Sequence, residues 1–426
     1  MRASRARRPM AGAMVAVLLA GCTSGGTNPA QDAPASSPVA TTTPSGEAAA
    51  APPAPSAPPS APPSSASPSS APPEVPTPVS TLLPGMPPPV SPTDVYAATR
   101  TLSPAVAGAK ALVYVPNSID NTVTVIDQQT MKVTGTFPVG PEPQHVVPSY
   151  DLKTLYVASD LVSAGGSLTP VDPTTGTPGA RIPVADPYNM YFTPDGSSAI
   201  VVAEALKRLD FYDPQTWKLQ LSLPVPDCAG VDHLDFTADG RTFLASCEFA
   251  NKMIVVDVAS KKLVRTIALT QAHNGMPQDV KLSPDGQTFF VADSTANGMY
   301  IFDGQANGVI GFVPTGKGTH GLYVSRDSTQ MFVTNRGEGS ISVVDLATRK
   351  PVTKWKIPGG GSPDMGNLSV DGSIFWVAGR YDNAVYAIST TDGRLITKIP
   401  VGKGPHGLTV WPQPGRYSLG HTGVLR

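Results

Sequence analysis

Along the chain from residue 111, apolar positions alternate with polar ones in runs of five or six residues, and each run stops at Gly, Pro, Asn or Asp. That period of two, with Val, Ile and Tyr dominating, predicts β-strands half or fully covered by neighbours. In residues 278–313, for example, QDVKLS leads through Pro284-Asp285-Gly286 to TFFVA, GMYIF and VIGFV, which is four strands in succession. The same Asp-Gly turn recurs at Asp195-Gly196, Asp239-Gly240 and Asp371-Gly372, with Asp327-Ser328 in its place once.

One strand of each unit ends in Asp: Asp127, Asp172, Asp213, Asp257, Asp303 and Asp345, with Ser389 in the seventh place. Their separations are 45, 41, 44, 46, 42 and 44 residues. Seven four-stranded units near that period predict an all-β, seven-bladed propeller. The first unit opens on a second strand, ALVYVPN (111–117), and the chain's last repeat strand, HGLTVW (406–411), is a first strand. Joining the two closes the seventh blade from both ends and removes free sheet edges.

LYVAS, TFFVADS, MFVTNRGEGSISVVD and VYVPNSIDNTVTVID resemble the YVTN-type β-propeller repeat over residues 111–412. The resemblance implies the fold and leaves function open, since that family includes surface proteins, periplasmic binding proteins and relatives of redox and lactone-hydrolysing propellers.

Composition divides the chain further. Arg2, Arg5, Arg7 and Arg8 precede an apolar run from Ala11 to Ala20, as in a secretory leader, and Leu19-Ala20-Gly21-Cys22 resembles the bacterial lipobox. Residues 1–22 are therefore expected to be a lipoprotein signal peptide, with Cys22 lipidated. Residues 23–92 hold 21 Pro, no Lys or Arg, and only Asp32, Glu47 and Glu74 as charges. Such a segment cannot bury enough apolar surface to offset its ordering entropy, and is expected to be a disordered tether of at most about 200 Å. Residues 93–426 are assigned to the propeller. The expected location is the cell envelope, anchored by lipid on the outer side of the cytoplasmic membrane or the periplasmic side of an outer membrane, as a monomer. Of the 31 Lys and Arg, the four leader arginines leave with the signal, so 27 face 32 Asp and Glu, a net of −5. That sign disfavours nucleic acid.

Aligning the seven first strands on their turns gathers candidate chemistry. One position holds His406, Gln144, Tyr188, Asp232, Gln278, His320 and Asp364, and the next holds Gly407, His145, Asn189, His233, Asp279, Gly321 and Met365. First strands are innermost in a propeller, so these side chains are expected to collar one mouth of the channel. The candidate ligand-binding set is His145, Asp232, His233, Asp279, His320, Asp364 and His406, with His273 nearby. His320, Asp364 and His406 are consecutive blades in one register, a weak metal candidate and otherwise a place for an anionic ligand at lower pH. Alternatively, a polar residue after a Gly- or Pro-rich entry is only what each inner strand needs in order to start. No catalytic residue and no cofactor are expected.

The Gly311 to Lys317 stretch fits seven positions of a phosphate loop but has Gly318 at the eighth and a strand rather than a helix behind it, which argues against nucleotide binding. Residues in the YVTN Asn place (Asn117, Ser159, Glu204, Cys247, Asp293, Asn335, Gly379) are expected to satisfy turn N–H groups. Pairing about Asp239-Gly240 sets residue 232 opposite 247, so Cys228 and Cys247 either bridge or remain two buried thiols. The tail 415–426, with His421, is expected on the outside of the closing blade. The functional expectation is a binding module for a protein, glycan or small ligand. The alternative is a propeller enzyme or redox accessory of lactonase-like or haem-binding type.

Overall fold

The computed structural model describes residues 81–426 except 163, 164 and 422; the leader, Cys22 and residues 23–80 lie outside the described residues. Seven sheets stand in a ring, each built on a run of four strands from the centre outward, with one extended inward by two more and one whose fourth strand is split. Burial follows that order. The inner strand Pro277–Leu282 is buried at every position, whereas the outer strand Lys350–Lys356 of the next blade is exposed at nearly every one. Large side chains fill the gaps between blades, as where Tyr323, Phe332, Phe375 and Tyr386 pack across one interface.

The closure read from the sequence is present. Thr409–Trp411 lies inside Leu112–Asn117 in register, with Tyr114 opposite Thr409 and Leu112 opposite Trp411. The Asp-Gly turns behave as their chemistry requires. Gly286 and Gly372 sit at φ +68° and +74°, Ser328 takes the same left-handed conformation at +64°, and Asp285 Oδ1 accepts from Ser283 Oγ and the Gln287 amide. In the blade of residues 143–183 the fourth strand is split into Thr177–Pro178 and Ile182–Pro183. Pro178 and Gly179 interrupt it, and both pieces pair with Ser167–Asp172.

Two features depart from expectation. The packed body begins before residue 93: Leu83 is buried and its amide donates to the Asp239 carbonyl, Val95 N–H donates to the Pro284 carbonyl, and Tyr96 Oη donates to the Leu282 carbonyl. Composition obscures this because a few anchors suffice to hold a Pro-rich segment on a surface of turns. The tail does not lie outside the closing blade. Ser418–Gly420 and Val424–Leu425 extend the inner edge of the 187–224 blade, so they run within the channel. Gly420 makes this fit: at φ +100° it lies against Tyr191, where a Cβ would come within 2.4 Å of Tyr191 Cα. The chain's last residue, Arg426, is buried with Nη2 at 2.9 Å from Asp235 Oδ1 and its guanidinium over the Tyr96 ring. Residues 81–107 and the tail thus close the face of the disc that carries the Asp-Gly turns.

Candidate functional site

Inner strands carry a β-bulge near their start. In the 231–268 blade Val231 opposes Cys247 and Leu234 opposes Ala245, so Asp232 and His233 together face the single residue Ser246. The expected pairing of 232 with 247 is therefore off by one. The bulge also explains why two successive residues of a strand reach the channel. The same interruption occurs after Pro277, Thr319 and Pro363.

The result is two clusters. In the first, His320 Nδ1 lies 3.2 Å from Asp364 Oδ1 and His406 Nε2 lies 3.4 Å from Asp364 Oδ2. Arg336 Nη1 is 3.0 Å from Asp364 Oδ1, and Arg380 Nε is 4.0 Å from Asp364 Oδ2. Asp364 is fully buried, while the two arginine side chains remain 20% and 22% exposed. Burial, and then the neighbouring guanidinium groups, push both histidines well below their usual range, so they are neutral. A metal ion here would have to sit beside two fixed positive charges, which is unfavourable. The cluster instead holds two guanidinium groups at the edge of the channel.

The second cluster contains His145, His233 and His421, all buried, each offering a ligand atom within 4.8 Å of the others. His145 Nδ1 donates to the Tyr188 carbonyl at 2.9 Å, which leaves Nε2 buried without a hydrogen-bond partner. The Asn189 amide nitrogen reaches His233 Nδ1 at 3.1 Å and His421 Nδ1 at 2.9 Å. Beyond the rings, His233 Nε2 is 3.2 Å from Asp232 Oδ1, and His421 Nε2 is 3.5 Å from Asp279 Oδ1. Burial lowers the pKa of all three histidines, that of His145 to about 4. Gly407 makes room for this cluster, since a Cβ there would fall 2.1 Å from the His145 ring.

Across the mouth from the arginines lies an acidic group. Burial raises Glu204 to about 8, with Glu248 and Asp186 adding to it, and raises Asp160 to about 8 with Asp186 as its partner. Gln278 Nε2 donates to Glu248 Oε1 at 2.8 Å. The loops on this face also expose apolar side chains: Ile119 is 68% exposed, Phe249 61% and Tyr381 72%. Arg336 lies 5.8 Å from the Tyr381 ring centre.

All seven candidate residues thus line the channel, and all are buried rather than open at a wet mouth. His273 is elsewhere, in an outer loop beside Asn274. Cys228 and Cys247 form a disulfide, tying the loop before the inner strand to the second strand. Of the YVTN-place residues, Asp293 satisfies turn N–H groups, its Oδ1 accepting from the amides of Met276, Thr295 and Ala296, whereas Asn335 Nδ2 instead donates to the Ser340 and Ser342 hydroxyls. Sequence reasoning missed Arg336, Arg380, Asn189 and His421 as members. The arginines had a signal, each following the YVTN Asn place directly, in adjacent blades. His421 had none, because the repeat does not supply it.

Comparison with solved structures gives the same ring from distant sequences. Kuenenia stuttgartiensis hydrazine synthase is 21% identical with a TM-score of 0.57, covering 68% of this chain and 94% of that one. A functionally unknown protein from Desulfotomaculum acetoxidans is 16% identical with a TM-score of 0.59, covering 70% and 98%. A putative 6-phosphogluconolactonase from Bacteroides uniformis is 17% identical with a TM-score of 0.58, covering 70% and 99%. At such identities the likeness is one of fold. Comparison with curated protein sequences gave no match. The YNCE-like beta-propeller family model matches residues 78–414, nearly the whole ring together with the segment that packs beneath it. The chain therefore belongs to the YNCE-like β-propeller family.

Proposed function

We propose that this protein is a lipid-anchored, extracytoplasmic binding module without catalytic activity, which takes an anionic group of a small molecule, glycan or protein partner on its open face. One observation carries the reading: with the opposite face closed by residues 81–107 and the tail, the loops of this face present two partly exposed guanidinium groups, Arg336 and Arg380, among exposed Ile119, Phe249 and Tyr381. Exposed apolar side chains around fixed polar groups are the composition of a recognition surface. Arg336 is hydrogen-bonded to Asp364, and Arg380, 4.0 Å from that carboxylate, donates to Gln144 Oε1 at 3.4 Å, so their positions cost little further ordering when an anion arrives. Charge works in the same direction, because burial first raises Glu204 and Asp160 to about 8, so these two are largely protonated near neutral pH and repel an anion less than two carboxylates would. The lactonase-like and haem-binding alternatives gain nothing from the geometry, since the His320 and His406 rings are buried and turned on Asp364.

The test is titration of the wild-type protein and an Arg336→Ala, Arg380→Ala double variant with inorganic phosphate, sulfate and a hexuronic acid oligosaccharide, followed by calorimetry. Saturable binding of at least one probe, weakened about tenfold or more in the double variant, is expected. Binding of equal strength in both proteins, or none in the wild type, would remove the site.

A further inference from the structure

The second cluster has a chemistry that the binding face does not use. Three imidazoles meet in a volume sealed from solvent, and they come from three separate parts of the chain: the inner strand Pro143–Pro148, the inner strand Val231–Phe236, and the tail. For each ring one nitrogen is turned toward an outer acceptor, namely the Tyr188 carbonyl for His145, Asp232 for His233 and Asp279 for His421. This is the arrangement that orients imidazole ligands around a metal, with a carbonyl or carboxylate fixing the tautomer and leaving the other nitrogen for the ion.

The polar atoms left over point the same way. His145 Nε2, His233 Nε2 and both carboxylate oxygens of Asp232 are buried without a hydrogen bond, the 3.2 Å approach of His233 to Asp232 lacking hydrogen-bond alignment. Buried groups of this kind are rarely orphaned in a folded protein; an ion would satisfy His145 Nε2 directly, and a metal-bound His233 would carry its proton on Nε2, where a small rotation brings it onto Asp232. Two carboxyl groups stand behind the rings, Asp232 at 3.2 Å from His233 Nε2 and Asp279 at 3.5 Å from His421 Nε2, while Asp235 is paired with Arg426. The other cluster also leaves His320 Nδ1, His406 Nδ1 and Asp364 Oδ2 without hydrogen bonds, but there two guanidinium groups stand beside the carboxylate and repel a cation.

We propose that His145, His233 and His421 bind one divalent transition-metal ion, of which zinc suits the donor set best, with Asp232 as the balancing charge. Three imidazoles suit zinc and its borderline neighbours, whereas magnesium and calcium require oxygen cages. Tetrahedral ligation at about 2.0–2.1 Å needs ring nitrogens about 3.4 Å apart, so the present spacing of up to 4.8 Å closes by side-chain rotation. The Asn189 amide, which now bridges His233 and His421, gives up those two contacts as the ion enters. Because the site is sealed, the ion enters during folding and pins the tail to two blades. The site is then structural: it fixes the plug of the channel.

The experiment uses the full mature chain, unfolded in guanidinium with a chelator, then refolded oxidatively with cobalt(II) or zinc(II), and read by elemental analysis and visible absorption. About one metal per chain, the intense visible bands of tetrahedral cobalt, and a thermal midpoint that rises with metal are expected. His145→Gln and His421→Gln are expected to lose the metal while His273→Gln retains it, with circular dichroism confirming that each variant is folded. The wild-type measurement stands even where a variant fails to fold. Refolded wild type holding less than about a tenth of an equivalent, or only the weak spectrum of six-coordinate cobalt, overturns the proposal. So does metal that is lost in His406→Gln but kept in His421→Gln, which would place it in the other cluster.

Discussion

The two channel clusters are built from successive positions of the inner strands and reach opposite electrostatic solutions. Around Asp364, two arginines and two neutral histidines surround one buried carboxylate. Around Asn189, neutral histidines meet a neutral amide, with carboxylates behind them. The first is assembled wholly by the repeat and opens toward the loops of one face. The second is completed by the tail, which enters from the other. A propeller channel can therefore carry a charged, outward-looking group and a sealed, uncharged one in adjacent layers, and the difference is set by what plugs it.

Removing the plug is expected to have the largest effect. Deleting residues 417–426 breaks the buried Arg426–Asp235 pair and exposes the surface that Leu419, Val424 and Leu425 cover. A broken buried pair alone costs about 3–5 kcal/mol, so denaturant unfolding should show a loss of about 5 kcal/mol or more. An unchanged midpoint would mean that the tail is not in the channel.

Next comes a direct contrast between the clusters. Asp364→Ala leaves two guanidinium groups without their carboxylate and should cost about 3 kcal/mol, toward the low end for buried pairs because the arginines are partly wetted. Asn189→Ala removes only neutral hydrogen bonds and should cost about 1–3 kcal/mol. If the order is reversed in the same unfolding assay, the charged and neutral assignments are exchanged.

The smallest expected effect is a pH dependence on the acidic side of the mouth. Glu204 is raised from 4.5 to about 8 in the folded protein, by burial first and by Glu248 and Asp186 after it. A raised folded pKa contributes stability that is fully present below the unfolded value near 4.5 and is lost as pH rises through about 8. Glu204→Gln should therefore nearly match the wild type at pH 5 and exceed it above pH 8, by on the order of 2 kcal/mol once the nominal ~1.4 kcal/mol per unit is discounted for the partial exposure of Glu204. A variant less stable than wild type at high pH would reverse the sign.

How far the sequence could be read follows from the same contrast. The blade count, the closure by Thr409–Trp411 and the His320, Asp364, His406 grouping all rest on a period that recurs seven times, and each was legible because strand, turn and register repeat with it. The one-residue offset between Asp232 and Cys247 was not, since a bulge has no compositional mark in this chain. Residues 81–92 look like tether by composition, yet they pack through a single buried Leu83 and backbone hydrogen bonds that any sequence can make. His421 stayed without a role because its partners His145, Asn189 and His233 lie about 190 to 280 residues away in sequence, and only Gly420, by its lack of a Cβ, marks where the chain slips against Tyr191.

The central claim is that the protein closes its own channel with its C-terminal residues. Native-state hydrogen exchange of the Ser418, His421 and Arg426 amides tests it most directly, since these donate to the Tyr150, Met190 and Tyr417 carbonyls. Protection close to that of inner-strand amides such as Val280 and Leu282 is the predicted result. Exchange as fast as that of the exposed outer loops would contradict it.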